Sequence, residues 1–211
     1  MFTDRADAGR QLAARLGALE GRAGIVLALP RGGVPVAAEV ARALRLPLDV
    51  IGVRKLGAPM QPELGVGAIA EGGVRVLDGA LVKQLRLDDA TIDRIETQER
   101  GELQRRLQRY RGDRDLPDLS GRVVVIVDDG RATGGSARAA CRAVREAGAG
   151  ETILAVPVGA ASSLEAIRDE ADEVIALQVP HDFVAVGRGS ERFGQTTDDE
   201  VVALLDELGP G

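Results

Sequence analysis

Asparagine and tryptophan are absent from this 211-residue chain, and cysteine occurs once. A single thiol excludes an internal disulfide framework and a metal site with several thiolate ligands. Lysine is nearly missing: Lys55 and Lys83 stand against 25 arginines. Three Phe and one Tyr are too few to form a stacking platform for single-stranded nucleic acid. No apolar run approaches the ~18–20 residues that span a membrane. The start, Met1-Phe2-Thr3-Asp4-Arg5, has no apolar leader core, so a cytoplasmic protein with no membrane partner is expected. A net charge of −6 and a pI near 5.0 argue against nucleic acid as a partner. Without asparagine, glycine must fill nearly all left-handed backbone positions, which accounts for part of the 27 glycines.

The remaining pattern alternates strands with helices. Ile25–Leu29 reads as a buried strand closed by Pro30-Arg31-Gly32-Gly33, followed by helical spacing from Val34 to Leu44. Leu48–Val53 is a second strand. Gly57–Gly67 is rich in Gly and Pro and is expected to be a loop. Val66–Ile69 and Val74–Leu77 form an expected antiparallel pair inserted into the alternation. Asp88–Tyr110 reads as a long charged helix, capped by Asp88 or Asp89, with one stripe of Ile92, Ile95, Leu103, Leu107 and Tyr110. Val123–Val127 is an unbroken β-branched run, the pattern of a parallel strand covered on both faces. A helix over Ser136–Ala147, strands at Ile153–Val158 and Val174–Val179, a short helix capped by Ser162 or Ser163, and a last helix from Asp198 complete the reading. No repeat, low-complexity tract or linker interrupts it. The expectation is an α/β fold with a central, mainly parallel sheet flanked by helices, in one unit over residues 1–211.

Chemistry concentrates in Val123–Ser136, VVVIVDDGRATGGS. A buried strand delivers two carboxylates, Asp128 and Asp129, at its carboxyl end, where open α/β sheets bind ligands. Gly130, Arg131, Ala132, Thr133, Gly134, Gly135 and Ser136 then lead into a helix. A glycine-rich turn into a helix presents backbone N–H groups and the positive end of the helix dipole to a phosphate. The carboxylates suit sugar hydroxyls or a Mg²⁺ ion. A phosphate beside a vicinal diol, as in ribose 5-phosphate, satisfies both halves. Other phosphate motifs do not fit. Gly130 and Gly135 have P-loop spacing, but Ser136 stands where the lysine is needed, and no G-x-G-x-x-G is complete.

This segment resembles the signature of the type I phosphoribosyltransferases that binds 5-phosphoribosyl 1-diphosphate (PRPP): an apolar run, two acids, two variable residues, a small or acidic residue, Thr-Gly and a nearby hydroxyl. The resemblance runs from about Ile25 to Val179. It implies that Asp128 and Asp129 hold the ribose hydroxyls, and a Mg²⁺ ion indirectly through PRPP or water. It implies that the loop Arg131–Ser136 wraps the 5′-phosphate and that Arg31, Gly32 and Gly33 contact pyrophosphate. Ala132 stands where the hypoxanthine–guanine enzymes carry Asp, a pattern more like the adenine and uracil types. Arg54 and Lys55 open the stretch where the family closes a flexible loop over the reacting centre, and there they would neutralise the departing pyrophosphate. Excluding water from an oxocarbenium-like centre is the physical need for such a lid.

The resemblance also implies a small hood built from parts of the N-terminus and residues 179–211. Phe183 is the candidate base-stacking residue there, with Phe193 second and a core position the competing role for both. His181 is assigned no role, and Cys141 is read as structural. The expected activity is transfer of ribose 5-phosphate from PRPP and Mg²⁺ to an unidentified acceptor, a nucleobase first, by a homodimer working in nucleotide metabolism. Three alternatives stand beside it: a PRPP-binding regulatory module without turnover, a hydrolase or phosphorylase of phosphoribosyl compounds, and a receiver-like domain whose acid pair binds Mg²⁺.

Overall fold

The computed structural model describes residues 2–130, 134–180 and 194–210. Its centre is a five-stranded parallel sheet built from β1 (Gly24–Ala28), β2 (Leu48–Val50), β6 (Val123–Val127), β7 (Glu151–Val158) and β8 (Glu173–Gln178), in the order β2-β1-β6-β7-β8. The unbroken apolar run is explained by β6 at the middle. Val123, Val125 and Val127 enter one core, and Val124 and Ile126 enter the other. Successive strand residues point to opposite faces, so a strand covered on both sides needs no polar alternation.

The first core lies beneath α1 (Arg5–Arg15), α2 (Gly33–Leu44) and α7 (Asp198–Leu208). The second lies beneath α5 (Gly135–Glu146). Over α5 sits a separate antiparallel sheet of β3 (Val53–Ala58), β4 (Gln61–Ala70) and β5 (Arg75–Leu77). A third cluster joins this sheet to α3 (Gly79–Gln84) and α4 (Asp89–Arg111). The short α6 (Ala161–Glu165) follows β7.

Several local expectations change. Most of the expected loop Gly57–Gly67 is a β-hairpin. Its glycines relieve close contacts in an irregular ladder instead of making a coil. The register shifts on both sides of Gly57, where a Cβ would stand 2.4 Å from the Pro62 carbonyl oxygen. The second strand ends at Val50, and Val53 already belongs to the other sheet. Ala160, not Ser162 or Ser163, caps α6. Asp88 caps α4 by accepting from the Thr91 amide, as expected of an aspartate at that position. Helix α1 was not foreseen. Its buried face is Ala8, Gly9, Leu12 and Ala13, too small and too sparse to make an apolar stripe.

Topology places the site. From β1 the chain crosses through α2 on one face to β2, and from β6 it crosses through α5 on the other face to β7. The connections leave β1 and β6 in opposite directions, so the crevice between their carboxyl ends is the switch point of the sheet.

Candidate functional site

Two loops meet at that crevice. The ladder pairs Ala28 with Val127, and the Leu29 amide donates to the Val127 carbonyl at 2.8 Å, so the strands stay together to their ends. The Pro30–Arg31 peptide bond is cis. Gly32 caps α2, and the Gly33 amide donates back to the Leu29 carbonyl at 3.0 Å. Across the crevice, Asp128 and Asp129 leave β6, with Asp128 buried at 7% exposure. The loops touch so closely that a Cβ on Gly32 would lie 2.0 Å from Asp129 Oδ2. One on Gly33 would lie 2.7 Å from the Val127 carbonyl oxygen and 3.1 Å from Asp128 Cα. The glycine pair is thus what lets the acid pair sit against the neighbouring loop.

The second loop turns sharply. Gly130 has φ +86°, and a Cβ there would lie 2.5 Å from the Val158 carbonyl oxygen of β7. Gly134 caps α5 with φ +78°, and Gly135 and Ser136 begin the helix. Arg131, Ala132 and Thr133 lie outside the described residues. Both twelve-residue helices that start at the crevice, α2 and α5, have glycine as their cap. Neither cap brings a side-chain acceptor to the first-turn amides. At α2 the first turn is already spent, since the Gly33 and Val34 amides donate to the Leu29 and Arg31 carbonyls and Pro35 has no N–H, so an anion at the crevice meets the positive dipole end of α5.

Among the described residues, the expected site cations Arg31, Arg54 and Lys55 are paired with carboxylates. Arg31 Nη1 lies 3.9 Å from Asp198 Oδ1 at the start of α7. Arg54 donates to Glu99 of α4 through Nε at 2.7 Å, and Lys55 donates to the Glu63 carbonyl at 3.0 Å and its carboxylate at 3.3 Å. Arg54 and Lys55 therefore sit on β3 of the second sheet, while Arg31 and the two acids share the crevice. Asp198 also accepts from the Tyr110 hydroxyl at 2.7 Å and pairs with Arg109 at 3.0 Å. The Tyr110 hydrogen bond comes first in holding the Asp198 carboxyl below its usual range. Burial, then the neighbouring Asp198, push the Tyr110 phenol up to about 12. Sequence reading missed Arg5, which reaches Asp129 from α1; its partner lies 124 residues away, and no local signal links them.

Phe183, Phe193 and His181 lie outside the described residues. Cys141 is buried in α5, and burial pushes its thiol up to about 12, as suits a structural cysteine. A cavity of about 330 Å³ opens among Glu71, Gln104, Gln108, Arg111 and Arg114, and none of its lining residues belongs to the crevice loops. Among the described residues no cluster of three or more His, Cys, Asp or Glu side chains forms a metal cage, and no helix is long and apolar enough to cross a membrane.

The family profile described as phosphoribosyl transferase domain matches residues 4–191. Two Mycobacterium tuberculosis proteins, from strains CDC 1551 and H37Rv, provisionally named phosphoribosyl transferases, are each 55% identical over 206 residues. Each match covers 98% of this chain and 46% of the relative, so the chain spans about half the length of the curated relatives it matches. The crystal structure of TT1426 from Thermus thermophilus is similar over 100% of both chains, with 44% identity and a TM-score of 0.82.

Proposed function

Because this chain belongs to the phosphoribosyl transferase domain family, we propose that it transfers ribose 5-phosphate from PRPP to a nucleophile, a nucleobase first, releasing pyrophosphate. One observation carries this reading. A carboxylate pair and the glycine-capped start of α5 converge at the switch point between β1 and β6. The ligand that matches both is a vicinal diol beside a phosphate.

In this reading Asp128 and Asp129 accept hydrogen bonds from the ribose 2′- and 3′-hydroxyls and lower the energy of positive charge developing on the ring. The loop Arg131–Ser136 and the first turn of α5 hold the 5′-phosphate. Arg31, with the loop of Gly32 and Gly33, contacts the diphosphate, and Arg54 and Lys55 serve the same leaving group from β3. Exposed ion pairs are worth about 0–1 kcal/mol. A polyanionic ligand can therefore take Arg31 from Asp198 at little cost.

The donor set fits Mg²⁺ in one manner. Two adjacent carboxylates, one paired with Arg5, do not enclose a cation. Mg²⁺ typically takes one or two carboxylates and completes its shell with substrate phosphates and water. Asp128 and Asp129 would hold it through PRPP or water. When bound, the ion would neutralise diphosphate charge.

Titration of the chain with PRPP and Mg²⁺, followed by pyrophosphate release across a panel of bases, tests the proposal. Wild type should bind and, with the right acceptor, turn over. Asp128→Asn with Asp129→Asn should weaken binding by roughly 1–3 kcal/mol per lost charged hydrogen bond. Undiminished PRPP binding by the double variant rules out this site. Binding without release across the panel makes the chain a PRPP-binding regulatory module, and release without any base makes it a hydrolase.

A further inference from the structure

The crevice contains a cation that no motif announces. Arg5 is the first residue of α1, and its side chain is 13% exposed. One terminal nitrogen, Nη2, donates to Asp129 Oδ2 at 3.2 Å. The other, Nη1, donates to the Gly194 carbonyl at 2.7 Å. Gly194 lies just ahead of Thr196, which is buried, and Thr197, which caps α7. One planar guanidinium thus joins the amino-terminal helix, the approach to the carboxyl-terminal helix and the second acid after β6.

Asp129 Oδ2, the oxygen that Arg5 engages, is also the atom nearest the position a Gly32 Cβ would take. Its carboxylate is therefore held by Arg5 and packed closely against the loop after β1. The base of Arg5 is anchored independently. Asp4 caps α1 by accepting from the Asp7 amide, Leu12 is fully buried, and Gly9 packs against the Val36 carbonyl of α2. Arginine suits this task because its fork spans two acceptors at fixed separation, which a lysine ammonium cannot do.

We propose that Arg5 is the positioning residue of the ribose subsite: it sets the orientation of Asp129 and ties it to the segment entering α7. The proposal rests on the reading of Asp129 as a ribose ligand. It extends that reading by making α1 and the segment entering α7 part of ribose recognition. An ordered Asp129 binds the diol without first losing rotamer freedom.

The test is a double-mutant cycle read by titration with Mg²⁺ and PRPP, alongside crystal structures without ligand. Arg5→Ala should raise the PRPP dissociation constant on the order of tenfold, while circular dichroism shows α1 still folded. In an Asp129→Asn background the same change should shift affinity by less than about twofold, because Arg5 acts through that carboxylate. Equal losses in both backgrounds, or no loss in either, overturn the proposal. Arg5→Lys should recover only part of the affinity, and full recovery overturns the bridging role. The ligand-free structure of Arg5→Ala should show the Asp129 carboxylate turned away from Gly32. If wild type does not bind PRPP, the functional reading fails, and this structure alone decides the positioning role: an unmoved Asp129 ends it.

Discussion

At the scale of single residues, the crevice is built by two glycines with different neighbours. The position of a Gly32 side chain is blocked by the Asp129 carboxylate, a side-chain group that can turn aside by giving up its pair with Arg5. The position of a Gly33 side chain is blocked by the backbone of Val127 and Asp128, which cannot. Gly32→Ala should therefore cost little stability and more than about tenfold in PRPP affinity. Gly33→Ala should cost about 1–3 kcal/mol, as overpacking does. Urea unfolding beside PRPP titration separates the two, and matching losses in both variants would contradict this assignment. The glycines and acids were legible because each pair is contiguous and lies where a strand ends. Arg5 was not, since its importance comes from a guanidinium reaching across 124 positions.

At the scale of elements, α4 and α7 are joined by a polar contact at the edge of an apolar seam. Tyr110 was expected as the last member of the α4 stripe, and its ring is buried in the first core. Its hydroxyl donates to Asp198 at the start of α7. The phenol is raised to about 12, so the fold favours its protonated form. That contribution is complete below the unfolded value near 10 and is lost as pH rises through about 12. Tyr110 is the sole tyrosine, and the chain has no tryptophan. Phenolate absorbance therefore reports this group alone, with a midpoint expected near 12 when folded and near 10 in denaturant. A folded midpoint at the free value would show that both the burial of Tyr110 and its contact with Asp198 are absent in solution. The elements themselves were read best where one residue sets the boundary, as Asp88 does for α4. The β3–β4 hairpin was read as a loop because its glycines, seen in isolation, look like coil formers.

At the scale of the whole molecule, a buried ion cluster fastens one sheet to the other. Asp49 on β2 is fully buried, and Arg111 at the end of α4 lies 3.6 Å from it. Arg111 also pairs with Glu71, which follows β4 and accepts from the Gly52 amide at 2.6 Å. The cluster thus ties the parallel sheet, the antiparallel sheet and α4 together. Burial is the leading influence on Asp49 and raises its carboxyl above the usual range, although Val50 and Arg111 pull the other way. The folded protein therefore favours protonated Asp49. That contribution is present below the unfolded value and is lost as pH rises through the folded one. Arg111→Met, which strands two carboxylates, should destabilise by about 3–5 kcal/mol. Asp49→Asn should cost clearly less. Denaturant midpoints of the two variants decide this, and the reverse order would refute the account.

Local chemistry was enough for the alternation of strands and helices, the central position of β6, and the acids and glycines that follow β1 and β6 at the crevice. Each of these depends on periodicity or on neighbours a few positions apart, where covalent connectivity alone sets the geometry. Tertiary structure decided the rest. It placed the loop after β1 against the loop after β6, spent the arginines on particular carboxylates, and brought Arg5 to Asp129. Ion pairs between distant segments have no periodic signature. An arginine reads the same in any sequence window, and only the packed chain determines which acid it meets.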